Sequence, residues 1–372
     1  MKIEANYYLN GQSYEFHIQD GLFVNIQPIP LNRELPIISP GFTDIQINGY
    51  KGVDFNTKFD LDSASLMLEE LVRNGVFSIY PTIITNSVEN IKRLGNQIVN
   101  WTEKSKLAKA MIKGIHLEGP YISPNDGARG AHNIKFVKAP NVEEFEGIQR
   151  ELNDFIKIVT ISPEWDESLA FIKSVSNKVL VAIGHTTAST ERINEAAKSG
   201  AKLSTHLGNG AEAVLPRHPN YIWSQLANDD LYASIIADGF HLDEDVMKVM
   251  YRVKKEKLIL VSDAVNLAGL PPGHYEQAVG GKVTLSDDGR LYLTDNPKYL
   301  AGSAKDLLSC AQYYYQHVNK NIYEVIRSMT SNVNNLMSIV NPIDKGKKAD
   351  FILVANNSLE IKSAYFSARE WL

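Results

Sequence analysis

Cysteine is almost absent from the 372 residues: Cys310 is the single one. No intramolecular disulfide can form and no thiolate cluster can hold a metal, so any metal in this chain has to be bound by histidine and carboxylate. Cys310 itself sits in "LLSCAQYY", an apolar helical pattern in which a thiol packs as a small hydrophobe. Long apolar runs are missing as well. No stretch approaches the roughly 20 apolar residues of a membrane span, and "MKIEANYYLNGQSYEF" has no apolar core of signal-peptide length, so a cytoplasmic protein is expected. Positive charge is not in excess either: 38 Lys and Arg against 43 Asp and Glu give a formal net charge of -5, with no basic run. Nucleic acid is therefore not an expected partner, and neither is a membrane. Long-period repeats and low-complexity tracts do not occur.

What is present is the composition of an ordinary globular protein, 44% hydrophobic and 22% charged, long enough for one large domain with an appendage. Between Ser39 and Ala264 short β-rich runs alternate with amphipathic segments: "IISPGFTDIQIN", "FSIYPTII", "IKGIHLEGP", "KIVTISPE", "VLVAIGH", "AKLSTHL", "ASIIADGFH" and "LILVSDA". Eight such units predict a (β/α)8 barrel, a TIM barrel of α/β class, over 39–335. "DSASLMLEELVRNG" predicts a helix with Leu66, Leu68, Leu71 and Val72 near one face and a stop at Gly75; "STERINEAAKSG" ends likewise at Gly200. "AVGGKVTLSDDGRLYLTD" reads as a hairpin turning at Asp287, Asp288 and Gly289, and "SAKD", Ser303 to Asp306, as a capping box before the helix that holds Cys310. The strand-like runs of 1–38 and 336–372 cannot each bury a core alone, and pairing them into one small β-sandwich domain is the economical reading.

In such a barrel the reactive groups stand at the C-terminal ends of the strands. There this chain has His116 and Glu118 after strand three, His185 after strand five, His206 after strand six, Asp238 and His241 after strand seven, and Asp263 after strand eight. Burying so many ionisable groups at one mouth is unfavourable unless they are paired or bind a metal. Glu118, His185 and His206 offer N and O donors for one divalent ion with a position left open for reaction. Asp263 is the candidate proton carrier, and His116 is either a further site residue or a partner of the ligands. Strand one ends in Gln46 and Asn48, two amides where a pair of histidines could hold a metal; His17, His274 and His317 fit no strand end and read as surface or structural groups.

The blocks "PGFTDIQINGYKGVDF", "GIHLEGPYISP", "RGAHN", "AIGHT", "THLGN", "IADGFH", "VSDA", "LAGS" and "GKKADF", in this order, resemble the N-acetylglucosamine-6-phosphate deacetylases among the metal-dependent amidohydrolases. The resemblance covers nearly the whole chain. It implies hydrolysis of N-acetylglucosamine 6-phosphate to glucosamine 6-phosphate and acetate, with one divalent metal (zinc, or else iron or manganese) on Glu118, His185 and His206 and Asp263 as acid/base. It further implies substrate contacts from Ala131, His132, Asn209, Gly210, Arg217, Asp238, His241, Leu300, Ala301 and Gly302. A homodimer is implied too, with Arg217 reaching the phosphate in the neighbouring subunit. Gln46 and Asn48 match the members with Gln-x-Asn on strand one, which argues for a single metal with the two amides hydrogen bonding beneath it. "TISPE" offers Ser162 and Glu164 where binuclear relatives have a bridging lysine. The chain departs from the family at Asn209-Gly210-Ala211, usually Asn-Ala-Met, and around Arg217, where Pro-Arg-His-Pro replaces Gly-Arg-Glu-Pro. These departures bear on the substrate's phosphate more than on the reaction. The alternatives are an amidohydrolase for another N-acyl substrate, such as an unphosphorylated or differently substituted N-acetylhexosamine or an N-acyl-amino acid, and a non-catalytic sugar-phosphate-binding protein.

Overall fold

The computed structural model describes residues 1–277, 281–340 and 342–372. Its centre is the expected barrel. Strands Phe42–Ile47, Val76–Ile84, Ile115–Glu118, Ile156–Ile161, Leu180–Ile183, Leu203–Ser204, Tyr232–Ile236 and Leu258–Val261 each lie parallel to the next, in chain order. The circle closes beyond the eighth strand: Ile47 bridges Ala264, the Asp263 N–H donates to the Gln46 carbonyl at 2.9 Å, and the Asn48 and Gly49 N–H groups both donate to the Ala264 carbonyl.

Seven of the eight strands fill the lumen with apolar side chains, among them Ile45, Tyr80, Ile158, Ala182, Leu203, Ile236 and Ile259, and Val333 belongs to the same buried cluster. The third strand instead contributes His116. Ile45 joins this cluster while its neighbour Gln46 reaches the site above, which strict alternation forbids. The ladder between the first two strands shifts register between Asp44 and Ile47, and that irregularity admits both side chains.

The outer helices begin and end on local chemistry. Helix Leu61–Arg73 is capped by Asp60, whose carboxylate accepts the Ser63 N–H at 2.8 Å, and it buries Ala64, Met67, Leu68, Leu71 and Val72. Leu66 is not on that face: it is 67% exposed, because two residues at 100° each turn it away from Leu68, and Met67 takes its place. The helix containing the buried Cys310, Leu307–His317, starts on Asp306, which accepts the Ser309 N–H at 2.9 Å. Ser303 is not its cap. Ser303 pairs instead with Ala264 as a short parallel bridge, which ties the segment before the helix to the end of the eighth strand.

Between them lies a four-stranded antiparallel sheet, Gly273–Gln277, Gly281–Leu285, Leu291–Leu293 and Asn296–Leu300. Residues 278–280, with which the expected hairpin begins, lie outside the described residues. Strands Lys2–Tyr7, Ser13–Gln19, Leu22–Pro28 and Ile37–Ser39 join Phe351–Val354, Ile361–Phe366 and Arg369–Glu370 in one seven-stranded sheet. That sheet curls over its own core. Phe23 lies 6.1 Å from Phe16 and 5.9 Å from Phe351 between ring centroids, although three strands separate its strand from that of Phe351 in the sheet order. Phe366 packs on Phe77 at 4.6 Å, which seats the sheet against the barrel. No helix among the described residues is long and apolar enough to cross a membrane.

Candidate metal centre and active site

Three unrelated strand ends deliver one oxygen and two nitrogens to a single point. Glu118 Oε1 lies 3.2 Å from His185 Nε2 and 2.9 Å from His206 Nε2, and the two nitrogens are 3.1 Å apart. All three residues are buried. His185, His206 and Asp263 each have positive φ, 48°, 28° and 46°, a conformation that non-glycine residues adopt only when their surroundings enforce it. The chain turns abruptly at each strand end and so aims these side chains into the mouth.

The His185 ring has a defined tautomer. Its Nδ1 donates to the Ala128 carbonyl at 2.9 Å, so in the neutral ring Nε2 presents a lone pair to Glu118 and His206. Burial works against the Glu118 carboxylate, yet the two imidazoles outweigh it and hold its pKa well below the ordinary value. His206 is likewise disfavoured as a cation by burial and raised on balance by Glu118. Gln46 Nε2 donates to Glu118 Oε1 at 2.9 Å, and buried Gln46 Oε1, Asn48 Oδ1 and His206 Nδ1 have no partner among the described residues. Three converging lone-pair donors with edges of about 3 Å fit one small divalent ion at bonds of roughly 2.0–2.2 Å.

Glu118 and His185 can also be grouped with His132, with ligand atoms within 4.8 Å of one another. We favour the set with His206 because its donor atoms lie closer together. His132 has other work: its Nδ1 meets Thr85 Oγ1 at 2.8 Å, and its ring stands edge-on to His185 at 4.3 Å. Burial and His185 push its pKa down to about 3, so the ring is neutral.

Asp263 stands beside this group, less buried than the ligands. One oxygen, Oδ1, accepts a 2.7 Å hydrogen bond from Asn48 Nδ2. Burial and the charge of Glu118 push its pKa up to about 6, with His206, His241 and Asn48 pulling the other way. Asp238 organises the neighbouring turn: Oδ1 accepts the N–H groups of Phe240 and His241 at 2.9 Å, and Oδ2 accepts His241 Nδ1 at 2.7 Å. Burial opposes the Asp238 carboxylate, but these bonds and the His241 charge outweigh it and lower its pKa.

A model of the amidohydrolase family matches residues 37–369. The chain belongs to that family. An N-acetylglucosamine-6-phosphate deacetylase from Bacillus subtilis (strain 168) is 31% identical over 333 residues, 86% of this chain and 81% of the relative; that of Rattus norvegicus is 30% identical over 89% and 82%. These relatives place the chain among the deacetylases of that name. A crystal structure of the Thermotoga maritima deacetylase aligns with a TM-score of 0.85 at 26% identity, covering 100% of this chain and 99% of that one. A variant of the Mycobacterium smegmatis deacetylase in complex with N-acetyl-D-glucosamine-6-phosphate aligns at 0.86 with 21% identity and the same coverage, a likeness that bears on the fold. Amidohydrolase membership implies a divalent metal, and the buried Glu118 and histidine group could hold one.

Not every residue singled out in the sequence lies at the mouth of this amidohydrolase barrel. His116 sits below it, with Nδ1 donating to the Ile45 carbonyl at 2.9 Å and Nε2 against Thr160 Oγ1 at 2.7 Å. Burial lowers its pKa to about 4, and both nitrogens are engaged, so it replaces an apolar lumen residue without ligating. Gly210, at φ 55°, packs on His185: a Cβ there would come within 2.6 Å of His185 Nδ1. Asn209 bonds back to the His206 carbonyl. The Leu300 to Gly302 segment runs beside Val265, whose N–H donates to the Ser303 carbonyl at 2.9 Å. Ala131 is exposed next to buried His132, and Arg217 is fully on the surface, in a segment with a cis His218–Pro219 bond. Glu164 ties the loops after strands three, four and five, accepting from Ser123, Ser162 and Thr187. His17 and His317 pair with Glu15 and Glu244, and His274 with Thr284.

Three neighbours of the site escaped sequence reasoning. Thr85 supports His132; Asp44 is a buried carboxyl that burial pushes up to about 7; and Lys305 donates to the Asp238 carbonyl at 2.9 Å while lying 4.6 Å over the Phe240 ring. Asp44 carried the one available signal, a carboxylate inside a buried strand. Thr85 and Lys305 are ordinary surface-type residues in the sequence.

Proposed function

We propose that the chain hydrolyses the acetamide of N-acetylglucosamine 6-phosphate, releasing acetate and glucosamine 6-phosphate. The observation that carries the reading is the convergence of Glu118, His185 and His206 beside a free carboxylate oxygen of Asp263, in a chain 31% identical to a deacetylase. Glu118 Oε1 and the two Nε2 atoms hold one divalent ion, which we take to be zinc, although iron and manganese accept the same donors. Bound there, the ion supplies Lewis acidity toward the acyl carbonyl and makes water nucleophilic near neutral pH.

The chain's own groups do the rest. Asn48 holds Asp263 through Oδ1 and leaves Oδ2 to take a proton from the attacking water. The same oxygen then returns the proton to the leaving nitrogen, so that the amine departs neutral. Burial and the Glu118 charge raise the affinity of Asp263 for a proton, which suits a group that takes one up and gives it back. With Nδ1 committed to Thr85, His132 has Nε2 left for a sugar hydroxyl; His241, oriented by Asp238, has Nε2 for hydroxyl or phosphate. Gln46 orients Glu118 and has no imidazole to offer a second ion. The backbone of Gly210 and of Leu300 to Gly302 lines the sugar.

Arg217 serves the phosphate across a homodimer. Its exposure, and that of Val214 at 85% in the same loop, supports a partner covering this face. A phosphorylated sugar substrate, which does not cross membranes unaided, agrees with a cytoplasmic location.

Acetate release by the purified, metal-assayed protein tests the reading, comparing N-acetylglucosamine 6-phosphate with the unphosphorylated sugar. A marked preference for the phosphate is expected. Equal rates would leave an amidohydrolase for another N-acyl substrate. No release from either, with metal bound, would favour a binding protein.

A further inference from the structure

Between the third strand and the short 3-10 helix Ile134–Phe136 the chain forms no helix or strand. This stretch nevertheless supplies two groups of the mouth, the Ala128 carbonyl that fixes the His185 tautomer and the ring of His132. Its two halves are held differently. The first is tied to the loop after strand five: the Ser123 N–H donates to the His185 carbonyl at 2.8 Å, Asn125 Nδ2 donates to Thr187 Oγ1 at 2.9 Å, and the Ala128 carbonyl accepts His185 Nδ1 at 2.9 Å.

The second half folds around a side chain of its own. Arg129 Nη1 donates to the His132 carbonyl at 2.7 Å and, at 3.4 Å, to that of Gly130, while Nη2 pairs with the Asp126 carboxylate. The Arg129 side chain is 19% exposed and that of Asp126 94%, so the ion pair is open to solvent and weak, and the carbonyl contacts are the constraint. His132 is thereby held at two points, its ring by Thr85 and its carbonyl by Arg129. Its own N–H reaches the Arg129 carbonyl only at 3.4 Å. Across a trans peptide the carbonyl and the N–H point in opposite directions. Drawing the Gly130 carbonyl toward Arg129 therefore turns the Ala131 N–H away from it, and that N–H has no acceptor among the described residues.

We propose that Arg129 is a positioning residue for the substrate: by holding the His132 carbonyl it sets His132 Nε2, and with it the Ala131 N–H, to meet the sugar. The proposal rests on the deacetylase reading, in which His132 contacts a sugar hydroxyl. Arg129 acts on binding and not on the metal, because the contacts that hold the Ala128 carbonyl against His185 do not involve the guanidinium.

Acetate release from N-acetylglucosamine 6-phosphate by the metal-loaded protein tests it in Arg129→Met, which fills the space without donating, and in Arg129→Lys, which can donate to one carbonyl. Arg129→Met is expected to raise KM about tenfold, with kcat and metal content within about twofold of wild type. Arg129→Lys should recover most of that KM, because it restores a cationic donor. In a His132→Ala background, Arg129→Met should add less than about twofold to KM, since changes that act through one residue are not additive. An unchanged KM or a loss of metal in Arg129→Met, equal KM values in Arg129→Met and Arg129→Lys, or full additivity with His132→Ala would each overturn the proposal. A second readout does not depend on the reaction. The ring-nitrogen resonances of His132, assigned by their loss in His132→Ala, should shift in Arg129→Met, and unmoved resonances would overturn the proposal as well. Wild-type protein that releases no acetate would sink the deacetylase reading, and these resonances would still decide whether Arg129 sets His132.

Discussion

Replacing Asn48 by alanine removes one hydrogen bond, the 2.7 Å contact from Nδ2 to Asp263 Oδ1. A hydrogen bond to a charged group contributes about 1.5–3 kcal/mol, and one pKa unit corresponds to about 1.36 kcal/mol. The amide donates to the ionised carboxylate and so favours the charged form; without it the Asp263 pKa rises, by about 1–2 units. A divalent ion bound beside Asp263 lowers the pKa in wild type and variant alike, so the amide sets the displacement between the two rather than their absolute values. On the proposed function Asp263 receives the proton and must be ionised, so activity rises with pH through its pKa and the acid limb of kcat moves upward in the variant. On its acid limb the variant is expected to lose a few-fold to tenfold in kcat relative to wild type, and to regain most of it about two units higher. The assay is acetate release against pH from about 5 to 9, with metal content measured on the same samples. The separation between the two limbs is the decisive quantity. A uniform fall in kcat with the limb unmoved would refute the electrostatic role of Asn48.

Three further perturbations test other parts of the site and the fold. Glu118→Gln replaces the proposed ligand carboxylate that lies between two imidazoles, and the purified variant should retain less than about a tenth of the wild-type metal by elemental analysis. Gly210→Ala forces a side chain into positive φ, at about 1–2 kcal/mol, and drives a methyl toward His185; both a lower melting temperature and weaker metal retention are expected, and wild-type values for both would mean that the loop relaxes freely. Ile158→Ala empties a lumen position and should destabilise by about 2–5 kcal/mol in reversible denaturant unfolding, with a shift under about 1 kcal/mol showing that the lumen collapses around the gap.

The eight-strand architecture was legible because each strand is a short β-rich run closed by turn chemistry and followed by an amphipathic helix, and all of that is local. Candidate ligands were legible for a related reason. A histidine or carboxylate at the end of a buried strand is conspicuous against an apolar background, and Glu118, His185, His206 and Asp263 all stood out in that way. Rotational detail was less secure: Leu66 was assigned to the core side of its helix and lies on the outer side, where only the neighbours present in three dimensions distinguish it from Met67. Ser303 offered cap chemistry, but Asp306 caps the helix because Ser303 is held by the backbone of Ala264, 39 positions earlier in the chain.

His116 shows where local pattern stops. By sequence it shares a strand and a face with Glu118, and alternation does not separate their depths. The lumen does: His116 lies where Ile45 and Thr160 occupy both its nitrogens, whereas Glu118, two residues on, clears that layer and meets His185 and His206. The sequence by itself determined the residue types available for chemistry, their positions at strand ends, and through strand count the barrel that gathers them, since these depend on periodicity and composition along the chain. Only the tertiary structure decided which donors converge within about 3 Å and which carboxylate is held by an amide 215 positions away. Those outcomes depend on distances between segments remote in sequence, and such distances exist only once the barrel has closed.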